Sequence, residues 1–152
     1  MLYVFDLDGT LIDSQAAVIE AYRAAGVDMP ADAWGAPVGD WCSPAQHELK
    51  QKLYPKMLQE YAYIGPARQL WNYLVQDERC IATGASRKSA DAALEFLGID
   101  PAELALCGAS TETKAEFIEK KMSEHDMVIY VDSDHAIGRS MQWRTKCAIL
   151  TP

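Results

Sequence analysis

Five short apolar runs recur along this chain, at residues 2–5, 79–83, 104–107, 127–131 and 146–150. Runs of four or five residues with little polar alternation suit strands buried on both faces, the habit of parallel sheets. Between them lie stretches with helical spacing, at 15–25, 44–61, 66–76, 87–97, 113–123 and 135–143. Their punctuation agrees with that reading. Ser86 suits an N-cap, Gly98 a C-terminal stop, and Gly65 before Pro66 a helix start. Strands alternating with helices predict an α/β fold, with helices on the faces of a mostly parallel sheet. At 152 residues the chain can bury one sizeable core but not two ordinary ones, so 1–152 reads as a single domain.

One segment breaks the alternation. From 26 to 43 the chain carries Pro30, Gly35, Pro37 and Gly39 among Trp34 and Trp41, an irregular excursion before the helix at 44–61. Residues 14–64 therefore read as an insertion over one face of the sheet.

Charge and composition exclude several classes. Fourteen basic against 22 acidic residues leave a net charge of −8 with no dense basic run, so nucleic acid and anionic membrane are poor partners. Asp6 and Asp8 interrupt the first apolar run, leaving neither a signal-peptide core nor a transmembrane span there. The four cysteines, Cys42, Cys80, Cys107 and Cys147, show no Cys-x-x-Cys spacing and fit a reduced, cytoplasmic setting. Dinucleotide, P-loop and zinc-ligand strings are absent.

In open parallel sheets, ligands bind beyond the carboxyl ends of the strands. Three of the five runs end there in a polar group: Asp6, Thr83 and Asp132. The string Phe5-Asp6-Leu7-Asp8-Gly9-Thr10-Leu11 is the sharpest. A two-residue spacing in extended chain puts both carboxylates on one side, and Gly9 lets the backbone turn. Two like charges so close repel unless a hard cation such as Mg²⁺ lies between them, and phosphate is the substrate that best uses such a cation. An Asp- and Gly-rich turn also closes ordinary strands; the length of the string separates the two readings.

That string resembles the first motif of the haloacid dehalogenase superfamily, a group dominated by phosphatases. Its other motifs find counterparts in order. Thr83, in Ile81-Ala82-Thr83-Gly84, resembles the second, a strand-ending hydroxyl that with Gly84 binds the phosphoryl group. Lys114 resembles the third-motif lysine, ahead of Lys88, Lys120 and Lys121, which fall in the wrong segment or a turn late. Asp132, in Tyr130-Val131-Asp132-Ser133-Asp134, resembles the fourth, whose acid completes a magnesium shell. Many members carry a second acid three or four residues later. Here Asp134 either supplies that charge from a shifted position or caps the following helix.

The resemblance implies a Rossmann-like sheet of five strands with the first run central, the second and third on one side and the fourth and fifth on the other. It implies that residues 14–64 form a reduced helical cap. It also implies an Mg²⁺-dependent phosphomonoester hydrolase in which Asp6 is the nucleophile and Asp8 the general acid and base. Thr83, Gly84 and Lys114 hold the phosphoryl group, and Asp6, Asp8 and Asp132 hold the metal. Members that release halide lack the second acid, so Asp8 favours phosphate over haloacid. The expected substrate is a small phosphorylated metabolite or nucleotide. A reduced cap implies an open mouth, which a second copy of the chain could complete; Trp34, Trp41, His47 and Lys50 are its candidate rim residues. The alternatives are a phosphomutase, drawing on Lys50, Lys52 and Lys56 for a second phosphate, and a non-catalytic phosphate-binding or regulatory protein.

Overall fold

A computed structural model describes residues 1–33, 38–132 and 148–150. The helix expected at 135–143, together with Trp34, Asp134 and Cys147, lies outside the described residues. Two compact units emerge: residues 1–13 with 64–152, and residues 14–63.

The first unit is built on a five-stranded parallel sheet of β1 (Leu2–Phe5), β4 (Glu78–Ala82), β5 (Leu104–Leu106), β6 (Val128–Val131) and β7 (Ala148–Leu150). Its order is β5-β4-β1-β6-β7, with β1 central, as the motif resemblance implied. Register is tight: Phe5 pairs with Ile81 on one side and with Val131 on the other. All three reach zero exposure, as strands covered on both faces should. Residues Ile12–Asp13 (β2) and Tyr63–Ile64 (β3) form a separate two-stranded ribbon. Two-residue strands leave no periodicity to read, and sequence reasoning did not find them.

The helices of this unit are α3 (Arg68–Tyr73), α4 (Arg87–Leu97) and α5 (Thr111–Glu124). Ser86 caps α4, its side chain accepting from Ser89 N, and Gly98 closes it in the left-handed region at φ 66°. On α5 the cap is Ser110, accepting from Thr113 N. Helix α3 starts later than Gly65-Pro66 suggested. Gly65 instead lies against the loop after β1, where its N donates to Leu11 O at 2.9 Å. Trp71 of α3 meets Phe5 edge-on at 5.1 Å, and the Arg79 guanidinium lies over the Trp71 ring at 3.9 Å while donating to the Trp71 carbonyl. On the α5 side, Leu2, Val4, Val128 and Tyr130 pack with Ala115 and Ile118.

The second unit holds two helices that pack on each other, α1 (Gln15–Ala24) and α2 (Pro44–Tyr61). Ser43 and Gln46 form a capping box at the start of α2, and Pro44 takes the first turn, where a missing N–H costs nothing. Tyr22 is the centre of its core, edge-on to Trp41 at 4.7 Å. Of the candidate rim residues, one is half-buried and another buried. His47 is half-buried, its Nδ1 3.0 Å from the Tyr22 hydroxyl. Lys50 is only 6% exposed, its ammonium 4.2 Å from the centre of the Tyr54 ring. Aromatic faces attract a desolvated ammonium, and the lysine stem covers apolar surface on the way.

Candidate active site

The first of the site residues is delivered by the central strand. Asp6 follows β1 directly, and its N donates to Val131 O at 2.9 Å, which sets it beside Asp132 at the neighbouring strand end. Past Asp6 the chain folds tightly. Thr10 N and Leu11 N both return to Leu7 O, and Gly9 N donates to Ile12 O at 2.7 Å. Gly9 sits at φ 78°, a conformation that side-chain-bearing residues resist.

Lys114 arrives from the first turn of α5, 108 residues away in sequence. Its Nζ donates to Asp6 Oδ1 at 2.9 Å, with both side chains almost wholly withdrawn from solvent. Asp132 is fully buried. It joins the pair through a residue the sequence reading did not single out: the Tyr130 hydroxyl donates to Asp132 Oδ2 at 2.6 Å and accepts from Lys114 Nζ at 3.3 Å. A usable signal was present. Residues 130 and 132 lie two apart on a strand, hence on one face, and Tyr130 is the one hydroxyl in an otherwise aliphatic run.

Thr83 stands just past the end of β4, buried, two residues beyond the Ile81 that pairs with Phe5. Its Oγ1 accepts from Ala85 N at 3.1 Å, and its own N donates to Leu106 O. The loop is thereby closed around an exposed Gly84, where an added Cβ would come within 3.1 Å of Ala109 O. Asp8 is exposed.

Burial dominates the electrostatics of Asp6 and holds its carboxyl above the ordinary carboxylate value. The Lys114 ammonium pulls it down by charge and hydrogen bond, and the nearby Asp8 charge pushes it up again. Among the described residues the two buried carboxylates face one lysine, bonded to Asp6 directly and to Asp132 through the Tyr130 hydroxyl, a local deficit of positive charge. Hard oxygen donors with a deficit of positive charge fit a Mg²⁺ ion, which keeps several waters and needs few protein ligands. Among the described residues no three His, Cys, Asp or Glu side chains gather into a cage. Asp6 and Asp132 would hold such an ion, with any contribution from the Asp8 position coming from its backbone carbonyl as the resemblance implies. A cavity in the second unit, lined by Val38, Cys42, Pro44 and His47, contains none of the motif residues.

The chain has the haloacid dehalogenase-like α/β fold. It is similar over 99% of its length to a haloacid dehalogenase-like hydrolase from Streptococcus pneumoniae, at 20% identity, 83% coverage of that chain and a TM-score of 0.62. It is likewise similar to CbbY from Rhodobacter sphaeroides, determined with phosphate, at 15% identity, with 99% and 86% of the two chains covered and a TM-score of 0.69. A predicted phosphoglycolate phosphatase from Haemophilus somnus matches at 16% identity, 99% and 84% coverage and a TM-score of 0.60. No family model and no curated protein matches the sequence. Among the described residues, no helix is long and apolar enough to cross a membrane.

Proposed function

We propose that this chain is an Mg²⁺-dependent phosphomonoester hydrolase acting on a small phosphorylated substrate. The observation that carries this reading is the buried 2.9 Å contact between Lys114 and Asp6 at the end of the central strand. A buried ion pair is a weak source of stability, because desolvation of both charges offsets most of their attraction. It is well suited to holding a nucleophilic carboxylate in one orientation and neutralising charge that arrives on it.

In this reading Asp6 attacks phosphorus in line. The bond to the leaving oxygen breaks as the bond to Asp6 forms, so the phosphoryl group passes to the carboxylate as an acyl phosphate. Asp8, exposed and next to Asp6, protonates the leaving oxygen. It then takes a proton from the water that releases phosphate and restores Asp6. Bound Mg²⁺ would supply positive charge against the repulsion between carboxylate and phosphate dianion. Lys114 adds its own charge to the same oxygens, and the Thr83 hydroxyl and the backbone at Gly84 hold the equatorial ones.

Support for the phosphomutase alternative is thinner. It draws on Lys50, which is buried against Tyr22 and Tyr54, on Lys52, which pairs with Glu48 at 3.8 Å, and on Lys56, which is exposed. The deciding experiment is hydrolysis of an aryl phosphate with Mg²⁺, beside Asp6→Asn and a chelator control. Turnover that vanishes in both controls supports the reading, and full activity in Asp6→Asn overturns the covalent route.

A further inference from the structure

Tyr130 has no role in the chemistry above, yet its hydroxyl bonds two of the three buried charged side chains among the described residues of the first unit, Lys114 and Asp132. The ring packs among Leu2, Val4, Ala115, Ile118 and Val128, at zero exposure. A phenylalanine would fill that apolar space equally well, so the packing does not account for the hydroxyl. Burying a phenol is costly unless the hydroxyl is partnered. Here it is partnered on both sides, and the direction of each bond follows from the donors available. Lys114 has N–H groups only and must donate to Tyr130. The single phenolic proton is then committed to Asp132, and the 2.6 Å separation is typical of a hydroxyl on a charged carboxylate.

We propose that Tyr130 is a positioning residue that fixes the Asp132 carboxylate for metal binding and ties its orientation to Lys114, an inference resting on the phosphohydrolase reading of the site. Engaging Oδ2 withdraws electron density from that oxygen, which would favour one-oxygen over two-oxygen coordination of a small ion. It also locks the side-chain rotamer before the ion arrives, because Tyr130 is itself held by the core. Partners of this kind, hydrogen-bonded to a ligand rather than to the metal, typically change metal affinity by about 10–100-fold when removed. The same hydroxyl takes one Lys114 N–H while Asp6 takes another, so the ammonium is anchored at two points rather than swinging about a single carboxylate.

Tyr130→Phe removes the one oxygen and keeps the ring. Isothermal titration of the whole metal-free chain with Mg²⁺, without substrate, should show affinity weakened about 10–100-fold relative to wild type. Aryl phosphate turnover should recover most of its kcat when Mg²⁺ is raised to saturation. A folded Tyr130→Phe protein that binds Mg²⁺ within about twofold of wild type overturns the proposal, since ring packing alone would then explain the residue. If the variant does not fold, the unchanged chain decides the matter through ¹³C-labelled tyrosine Cζ resonances. One of the seven tyrosines should shift in step with Mg²⁺ binding, and a titration that moves none of them overturns the proposal. The two readings fail separately. Weakened Mg²⁺ binding in Tyr130→Phe with no hydrolysis in wild type sinks the phosphatase and spares the positioning role; unweakened binding beside robust hydrolysis does the opposite.

Discussion

Gly65 lies so close to the loop after β1 that its N reaches Leu11 O at 2.9 Å, and a Cβ placed on it would stand 2.4 Å from Thr10 O. The atoms it would meet, Thr10 O, Leu11 C and Ile12 N, are all backbone, so no rotamer change relieves the contact. The stretch it presses on, Thr10 to Ile12, follows Asp8, the proposed acid/base position.

Gly65→Ala should therefore cost about 1–3 kcal/mol of stability, the usual range for overpacking. Gly39→Ala, with nothing within 4 Å of the added Cβ, should stay within about 0.5 kcal/mol. Urea denaturation of the two variants side by side measures the difference, and equal midpoints would contradict the close approach.

Lys114→Met removes the ammonium bonded to Asp6 and leaves a buried carboxylate without it. Breaking a buried pair from one side costs about 3–5 kcal/mol, and that loss is expected in metal-free protein. Added Mg²⁺ should recover part of it by supplying the missing charge. Asp6→Asn should be far milder, because its amide oxygen still accepts from Lys114. Denaturation curves with and without Mg²⁺ test the asymmetry.

Asp8→Asn should leave the fold intact, since residue 8 is exposed, while lowering hydrolysis by about 10²–10⁴-fold through loss of general acid–base help. Circular dichroism beside aryl phosphate turnover checks both halves. A loss of helical signal would assign the effect to folding instead.

His125, which follows α5, is 3.1 Å from Glu78 at the start of β4, and its Nδ1 is 3.0 Å from Lys121 O. The Glu78 hydrogen bond, then the Lys121 carbonyl, hold its pKa above the usual 6.5. The folded value exceeds the unfolded one, so this contribution is complete below the unfolded pKa and fades as pH rises through the folded pKa. Melting temperature should fall gently as pH rises from below the usual 6.5 through the raised folded pKa, and Glu78→Gln should flatten that slope. The Glu78 side of the pair is exposed, so the effect is small and salt-sensitive.

Much of this architecture can be read from residues alone because burial on both faces leaves its mark locally. β1 at Leu2–Phe5 matches its apolar run residue for residue, and α2 and α4 match at both ends because Ser43 and Ser86 cap them and Gly98 stops the second. Helix α3 is shorter than its periodic stretch, for the residues at its start are spent on Gly65 and Ala67 hydrogen-bonding to the Leu11 and Thr10 carbonyls. In the site, the positions of Asp6, Thr83 and Asp132 follow from the ends of apolar runs. Lys114 could be chosen over its neighbours only through the motif resemblance, since a helix-surface lysine looks the same in isolation.

The amino-acid order settled which residues end the strands, and hence which carboxylates and hydroxyls face the carboxyl edge of the sheet, because strand burial and turn chemistry are short-range properties. Folding decided the rest: that Lys114 crosses to Asp6, that Tyr130 joins that pair to Asp132, that Lys50 turns inward onto tyrosine rings, and that Gly65 must have no side chain. Each of these depends on which distant groups share a desolvated volume. Desolvation is set by the packed whole and leaves no periodic trace in the chain.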